Sequence, residues 1–488
     1  MSVDRRTVLK GSVAAVVAGG PFAGFVNSAA GAVTSPSAAA GAAGLVPVPD
    51  RRDGVVRLAL PPGFSYRSFH DTETPVVLDD GTNLPGRHDG MGAFDGPGGT
   101  VFLIRNHEVN GSPGAFGPRQ PYDAMAGGGT TTIHVTKTGR VLDSWTSLNG
   151  TMMNCSGGIM PWDAWVSCEE TVNGPDVGPD FTRASNVGLE QPHGYIFEVP
   201  VGRRSNGRAP GKPITAAGRF AHEAVSFDPE HGSLYLTEDN FAFASGFYRY
   251  TPKNNPMRTH RLDNKGRLEM LAVKGRPNAH LEGHHERGTT FDVRWVPISK
   301  PDPSFDYTPG KVAPTSNDTA LTFVSSQGWA QGAAYFSRLE GQVYEDGAVF
   351  FTSTQGGGAA ETGNQDAAGY GNGYGQVWAY DTLSEKLTMV YESPGPDVLD
   401  FPDNITSREA TLILCEDGTD DNYLRALKPN GTLVNLAWNQ LYANTVRDRT
   451  DDEFAGSTFS PDGETLYVNI QASKGISFAI WGPWDTVI

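Results

Sequence analysis

Gly218-Arg219-Phe220-Ala221-His222-Glu223-Ala224-Val225-Ser226-Phe227-Asp228-Pro229-Glu230-His231-Gly232-Ser233-Leu234-Tyr235-Leu236-Thr237-Glu238-Asp239 reads as two strands joined by a turn. Val225 and Phe227 alternate with Ser226, and Leu234-Tyr235-Leu236 is the returning strand. Between them Asp228-Pro229-Glu230-His231-Gly232 places Pro early and Gly late, as a tight turn requires. Glu223 stands just before the first strand, and Glu238 and Asp239 follow the second. A hairpin brings its open ends together, so these acids converge at one end of a sheet. Converging buried carboxylates repel unless a cation or a proton lies between them.

The same outline recurs. An apolar run ending in polar or acidic residues stands at Val101-Phe102-Leu103-Ile104-Arg105-Asn106-His107-Glu108 and at Ala164-Trp165-Val166-Ser167-Cys168-Glu169-Glu170. It returns at Val349-Phe350-Phe351-Thr352-Ser353-Thr354-Gln355, Leu412-Ile413-Leu414-Cys415-Glu416-Asp417 and Leu466-Tyr467-Val468-Asn469-Ile470-Gln471, which makes six with the quoted hairpin. A polar residue precedes most of them by a hairpin's length: Asp89, Asn154, Glu223, Arg338 with Glu340, Asp403 and Glu453. Strand-rich repetition of this kind indicates an all-β fold, a six-bladed β-propeller with small helical and loop insertions. Gly 60 and Pro 34 favour turns over long helices, and no apolar pattern of period 3.6 is sustained.

A net charge of −17 argues against nucleic-acid and anionic-membrane partners and is compatible with cation binding. At the N-terminus, Asp4-Arg5-Arg6-Thr7-Val8-Leu9-Lys10 precedes a mildly apolar, Gly-rich stretch over 13–26 and the small residues Ala30-Gly31-Ala32. Paired arginines there mark a twin-arginine signal over 1–32, too short in its apolar part to span a membrane. The signal assigns the chain to a secreted, extracellular or periplasmic location and makes the twin-arginine export machinery a partner. Residues 33–53 read as a flexible lead-in and 54–488 as one domain, with an insertion at about 254–316. The insertion holds His280, His284 and His285. No Cys pair accompanies them, and Gly283 weakens a helix, so they read as surface rather than zinc ligands. Residues 55–69 look like a strand pair around Pro61-Pro62-Gly63. The stretches opening at Gly194, Gly246 and Gly375 look like the second strands of blades. The Gly-rich segment 356–375 lacks the Lys-Ser/Thr of a P-loop and reads as a loop at the rim.

Three cysteines, Cys155, Cys168 and Cys415, leave at least one unpaired within the chain. Cys168, between Ser167 and Glu169-Glu170, is either a metal ligand, a partner of Cys155 in a disulfide, or a buried thiol. The acids at strand ends are Glu108, Glu169, Glu170, Glu223, Glu238, Asp239, Glu340, Asp403, Glu416 and Asp417. That density of carboxylates asks for hard cations, Ca²⁺ first. Arg338, two residues before Glu340 on the same strand face, offers a planar fork to a phosphate oxygen or an ion pair to Glu340.

Several of these pieces together resemble the PhoX alkaline phosphatases. They are Asp89-Gly90-Met91, Arg105-Asn106-His107-Glu108, Trp165-Val166-Ser167-Cys168-Glu169-Glu170, Phe220-Ala221-His222-Glu223-Ala224, Arg338-Leu339-Glu340-Gly341, Cys415-Glu416-Asp417-Gly418 and Glu453-Phe454-Ala455-Gly456. The resemblance runs in order over nearly the whole mature chain. It implies hydrolysis of phosphate monoesters, small phosphate esters as substrates, and a cofactor of two oxo-bridged Fe³⁺ ions with several Ca²⁺ ions. It further implies Cys168 as the iron-bound thiolate and Glu108, Glu169, Glu223, Glu238, Glu340, Glu416 and Asp417 as metal ligands, with Arg338 on the phosphate. The resemblance leaves a second basic phosphate contact unassigned, with Gly418 and Thr419 following the last acidic pair where one would be sought. A monomer is expected. Read without the resemblance, the same acids fit a calcium-stabilised envelope propeller that only binds, or a calcium-dependent propeller lactonase.

Overall fold

The computed structural model describes residues 22, 24–25, 44–118, 120–204, 207, 209–361, 369–442 and 448–488. The twin-arginine motif, Ala30-Gly31-Ala32 and the lead-in as far as residue 43 lie outside the described residues, as does the centre of the Gly-rich segment, 362–368. Its regular structure is almost entirely β-strand, in antiparallel meanders joined by turns and loops. The first comprises His88–Asp95, Val101–His107, Gly128–Val135 and Val141–Thr151. The second has Asn154–Met160, Ala164–Glu169 and Ile196–Pro200. The third, the stretch quoted at the outset, has His222–Asp228, Ser233–Glu238, Phe247–Pro252 and Gly266–Val273. The fourth has Leu339–Glu345, Ala348–Ser353, Gln376–Asp381 and Lys386–Glu392. The fifth has Pro402–Arg408, Thr411–Glu416, Tyr423–Leu427 and Leu433–Asn439, and the sixth Phe454–Phe459, Thr465–Ile470 and Ile476–Trp481.

These meanders form five hydrogen-bonded sheets, because Thr290–Pro297 pairs with Gly266–Val273 on one side and Lys386–Glu392 on the other and so fuses the third and fourth into nine strands. The arrangement is propeller-like: the first strands of successive meanders touch one another in order, and the sixth touches the first. Three N-terminal strands complete it, and the first, Val46–Pro49, pairs with Val56–Leu60, so this part of the expected flexible lead-in is a sheet edge. Ser65–Phe69 pairs with Ile476–Trp481 and Val56–Leu60 with Leu433–Asn439. The two strands read in residues 55–69 therefore exist but do not pair with each other. Pro61-Pro62 has no backbone N–H to give a ladder, and the chain crosses there from one sheet to the next.

Two further expectations change. The stretches opening at Gly194, Gly246 and Gly375 are third strands, because the strand facing the centre is the one before each apolar run. Residues 254–316 are not only an inserted surface segment, since Gly266–Val273 and Thr290–Pro297 lie in the sheet. The helices in and after that region are short, Pro256–Thr259, Asn317–Leu321 and Phe323–Trp329. No helix among the described residues is long and apolar enough to cross a membrane.

The core lies between neighbouring sheets. Val166 and Ile196 of the second meander pack on Val225, Leu234 and Leu236 of the third, all buried. Each large side chain so buried contributes roughly 2 kcal/mol. Inside the ring the first strands surround a channel of about 240 Å³ lined in part by Ser156, Ser226, Gln342, Asn404 and Ser457.

Candidate metal and phosphate site

A repeated irregularity builds the site. In the third meander His222 pairs with Glu238, but the next paired residue is Val225, opposite Leu236. The first strand thus advances three residues where the second advances two, which is a β-bulge. The same step occurs between His88 and Met91, Asn154 and Gly157, Leu339 and Gln342, Pro402 and Ile405, and Ala455 and Thr458. A bulge bends its strand and re-aims the extra side chain. The first residue of each bulge is Asp89, Cys155, Glu223, Glu340, Asp403 or Gly456. Close approach explains the glycine that follows in two of them. A Cβ on Gly90 would lie 2.5 Å from the Ser156 Cα, and one on Gly341 2.8 Å from the Asn404 Cα.

The second strands contribute at their exits, where Glu108, Glu170, Asp239, Asp417 and Gln471 each follow the last strand residue. Entry and exit residues meet in overlapping groups whose donor atoms lie within 4.8 Å of one another. Cys155 groups with Glu170 and Glu223, and Glu170 also with Asp239 and Glu340. Glu223 and Glu340 join Asp403, which in turn joins Asp417 and Glu453. The Gln471 side chain donates to Asp89 Oδ2 at 2.7 Å.

Burial first, and then neighbouring carboxylates, push the carboxyls of Asp89, Glu170, Glu223, Glu340 and Glu453 well above their ordinary range. Asp403 is pushed up to about 7 by burial and by Asp417. The Cys155 thiol is likewise driven up by burial and by Glu223. Without cations this cluster holds protons. The consequence for stability has a definite sign. A carboxyl raised in the folded state stabilises it below the ordinary range near 4, and that contribution is lost as pH rises through the raised value. Protein stripped of cations should therefore lose several degrees of melting temperature between pH 5 and pH 8, and added Ca²⁺ should restore them. A flat or rising melting temperature over that interval would contradict the reading.

Arg338 lies immediately before Leu339–Glu345, with a left-handed backbone at φ 41°. Its Nε and Nη2 donate to Asp239 at 3.2–3.3 Å, and Nη2 lies 2.9 Å from Glu340 Oε1. Burial opposes its charge, but Asp239, Glu340 and Asp417 outweigh that and hold the guanidinium protonated. Arg87 occupies the same place in the first meander, with φ 45°, and donates through Nε to the Glu108 carboxylate at 3.0 Å.

Of the residues expected here, the structure gathers Glu223, Glu340 and Asp417 into these groups with Arg338 against Glu340, while Glu108 stands outside the groups as the partner of Arg87. The structure does not bring Glu169, Glu238, Glu416 or Cys168 into the groups. Successive residues at a strand end point opposite ways, so Glu169, Glu238 and Glu416 turn into their own sheets while Glu170, Asp239 and Asp417 turn to the centre. Glu169 accepts from Met152 N at 2.9 Å, His193 Nδ1 at 2.6 Å, Gly194 N at 2.8 Å and Tyr195 N at 3.1 Å. Glu238 accepts from Gly246 N and Tyr248 Oη, and Glu416 from Arg425 Nε and Tyr423 N. Cys168 sits in the apolar core with Val166 and Ile196. All three cysteines are free, and the one facing the acids is Cys155, which sequence reasoning passed over with Asp89 and Glu453 as ligands. A signal for the first two existed: in the quoted unit the acid two residues before the first alternating apolar residue is followed by a small residue, and Asp89-Gly90 and Cys155-Ser156 repeat that pattern.

A family model described as alkaline phosphatase PhoX matches residues 44–145 and 139–474. Among solved structures, Pseudomonas fluorescens PhoX in complex with vanadate, a transition state analogue, superposes with a TM-score of 0.63 at 16% identity. That match covers 91% of this chain and 98% of the other, and at this identity the likeness concerns the fold. The Neurospora crassa Pan2 WD40 domain matches with a TM-score of 0.35 and 8% identity, over 84% of this chain and 98% of the other. A search of curated proteins finds no match.

Proposed function

The chain belongs to the alkaline phosphatase PhoX family, and from that premise we propose that it hydrolyses phosphate monoesters at the acid-lined end of its central channel, releasing inorganic phosphate. The observation that carries the reading is the overlap of the acid groups around Glu170, Glu223, Glu340 and Asp403 with a guanidinium, Arg338, at their edge. We further read the meanders as the six blades of a single domain exported by the twin-arginine route and acting as a monomer.

The residues present fit a polynuclear cation centre. Carboxylates forced together to this degree need countercharge, their oxygens suit Ca²⁺ and Fe³⁺, and the Cys155 sulfur suits iron rather than calcium. Cys155, Glu170 and Glu223 would hold iron, with Asp239, Glu340, Asp403, Asp417 and Glu453 completing the shell for further iron and Ca²⁺. Bound there, such ions supply Lewis acidity and neutralise phosphoryl charge. The chain's own part is to position and to desolvate. The bulges fix the ligands on rigid strand ends rather than on loops, so the geometry does not reorganise during turnover. Arg338, held by Asp239 and Glu340, presents its fork to a phosphoryl oxygen and stabilises the charge that builds on the equatorial oxygens.

The test is metal analysis of protein purified without chelator, paired with a phosphomonoester assay. Iron and calcium should copurify, and chelation should abolish hydrolysis. Metal-loaded protein that hydrolyses no monoester would leave a calcium-stabilised binding propeller in its place.

A further inference from the structure

Arg87 and Arg338 occupy the same position in the repeat, the residue immediately before the first strand of a meander. Met153 and Phe401 occupy it in the second and fifth meanders, and all of them have a left-handed backbone, with φ from 41° to 49°. The shared conformation sends the chain into the bulge in the same way each time. Among these equivalents, only the first and fourth meanders carry a guanidinium. In a closed ring ordered first to sixth, the first and fourth lie opposite one another. Arg87 and Arg338 therefore flank the acid groups from opposite sides.

Their partners agree with that placement. Arg338 is held by Asp239 and Glu340, and Arg87 by the carboxylate and the backbone carbonyl of Glu108. Arg87 is the more open of the two, with 41% of its side chain exposed against 16% for Arg338. Glu108 is itself buried, with 6% of its side chain exposed, so Arg87 neutralises a buried carboxylate while its own more open side chain stays within reach of a ligand.

We propose that Arg87 is the second phosphate-binding residue, meeting the phosphoryl group from across the ring and selecting dianionic monoesters over monoanionic diesters. The inference rests on the phosphatase reading above. Two opposed guanidinium groups favour a ligand that offers charged oxygens to both, as a monoester dianion does. A diester carries one negative charge and has an alkyl or aryl group where one of those oxygens would be.

The experiment uses metal-loaded protein and inorganic phosphate as the probe. In Arg87→Ala the dissociation constant for phosphate and the KM for a monoester should rise about ten- to a hundredfold, the range of one lost charge-assisted contact, with kcat falling less. The monoester-over-diester preference should narrow, metal content should stay as in the parent, and Arg87→Lys should recover part of the affinity. Arg87→Gln, which keeps a donor toward the Glu108 carbonyl, is measured alongside and should behave as Arg87→Ala does. Phosphate affinity within twofold of the parent in a folded, metal-replete Arg87→Ala or Arg87→Gln variant would overturn the assignment and leave Arg87 as the partner of Glu108. A parent protein that neither binds phosphate nor cleaves a monoester would instead sink the phosphatase reading, and this inference with it.

Discussion

Replacing Arg338 with alanine should lower turnover of a phosphomonoester by about two to three orders of magnitude, the scale of losing one positioned charge-stabilising donor. The expectation follows from where the side chain is held. Two carboxylates, Asp239 and Glu340, fix the guanidinium at the edge of groups that themselves hold the cations. Those carboxylates keep it charged at the place where a phosphoryl group bound by the cations would meet it. Metal content should change little, because each group keeps its own oxygens and Cys155 keeps its sulfur. Arg338→Lys should rescue only partly, since an ammonium cannot make the two-pronged contact. Full activity combined with lost metal or a lowered melting temperature in Arg338→Ala would make Arg338 a structural partner of Glu340.

The second large effect separates two cysteines. Cys155 lies in the first bulge position of its strand, within 4.8 Å of donor oxygens from Glu170 and Glu223, whereas Cys168, buried beside it with Val166 and Ile196, joins none of the acid groups. Cys155→Ser should cost the protein its iron, any thiolate-to-iron colour and at least about two orders of magnitude in activity, because a serine hydroxyl does not replace a soft thiolate ligand. Cys168→Ser should keep metal and specific activity while losing about 1–3 kcal/mol of stability, the cost of burying a hydroxyl in an apolar core. The reverse pattern, with Cys168→Ser colourless and Cys155→Ser intact, would show that the bulge does not place the ligand.

The contrast also explains what the sequence could and could not convey. Apolar runs such as Leu412-Ile413-Leu414 and Leu234-Tyr235-Leu236 are strands buried on both faces, so the hairpin units were legible directly. Which of two consecutive acids faces the centre was not. Glu169-Glu170, Glu238-Asp239 and Glu416-Asp417 offer an acid to each side of a strand end, and a shift of one residue exchanges their roles. Only the pairing register decides, and it is set by bulges that depend on contacts between neighbouring meanders, as at Gly90 and Gly341. The same limit hid Cys155, whose strand Asn154–Met160 is rich in small residues and lacks an apolar run. Residues 254–316 misled for a different reason. Their strand Thr290–Pro297 is half exposed and joins two meanders, so it has no counterpart in the repeat.

The most direct measurement is anomalous diffraction at the iron edge on crystals of protein purified without chelator. An iron peak should lie between Cys155 Sγ and the carboxylates of Glu170 and Glu223, with further cation density extending through Glu340 and Asp403 toward Asp417. A peak on Cys168, or carboxylates of this cluster bridged only by protons and water in fully active protein, would contradict the account.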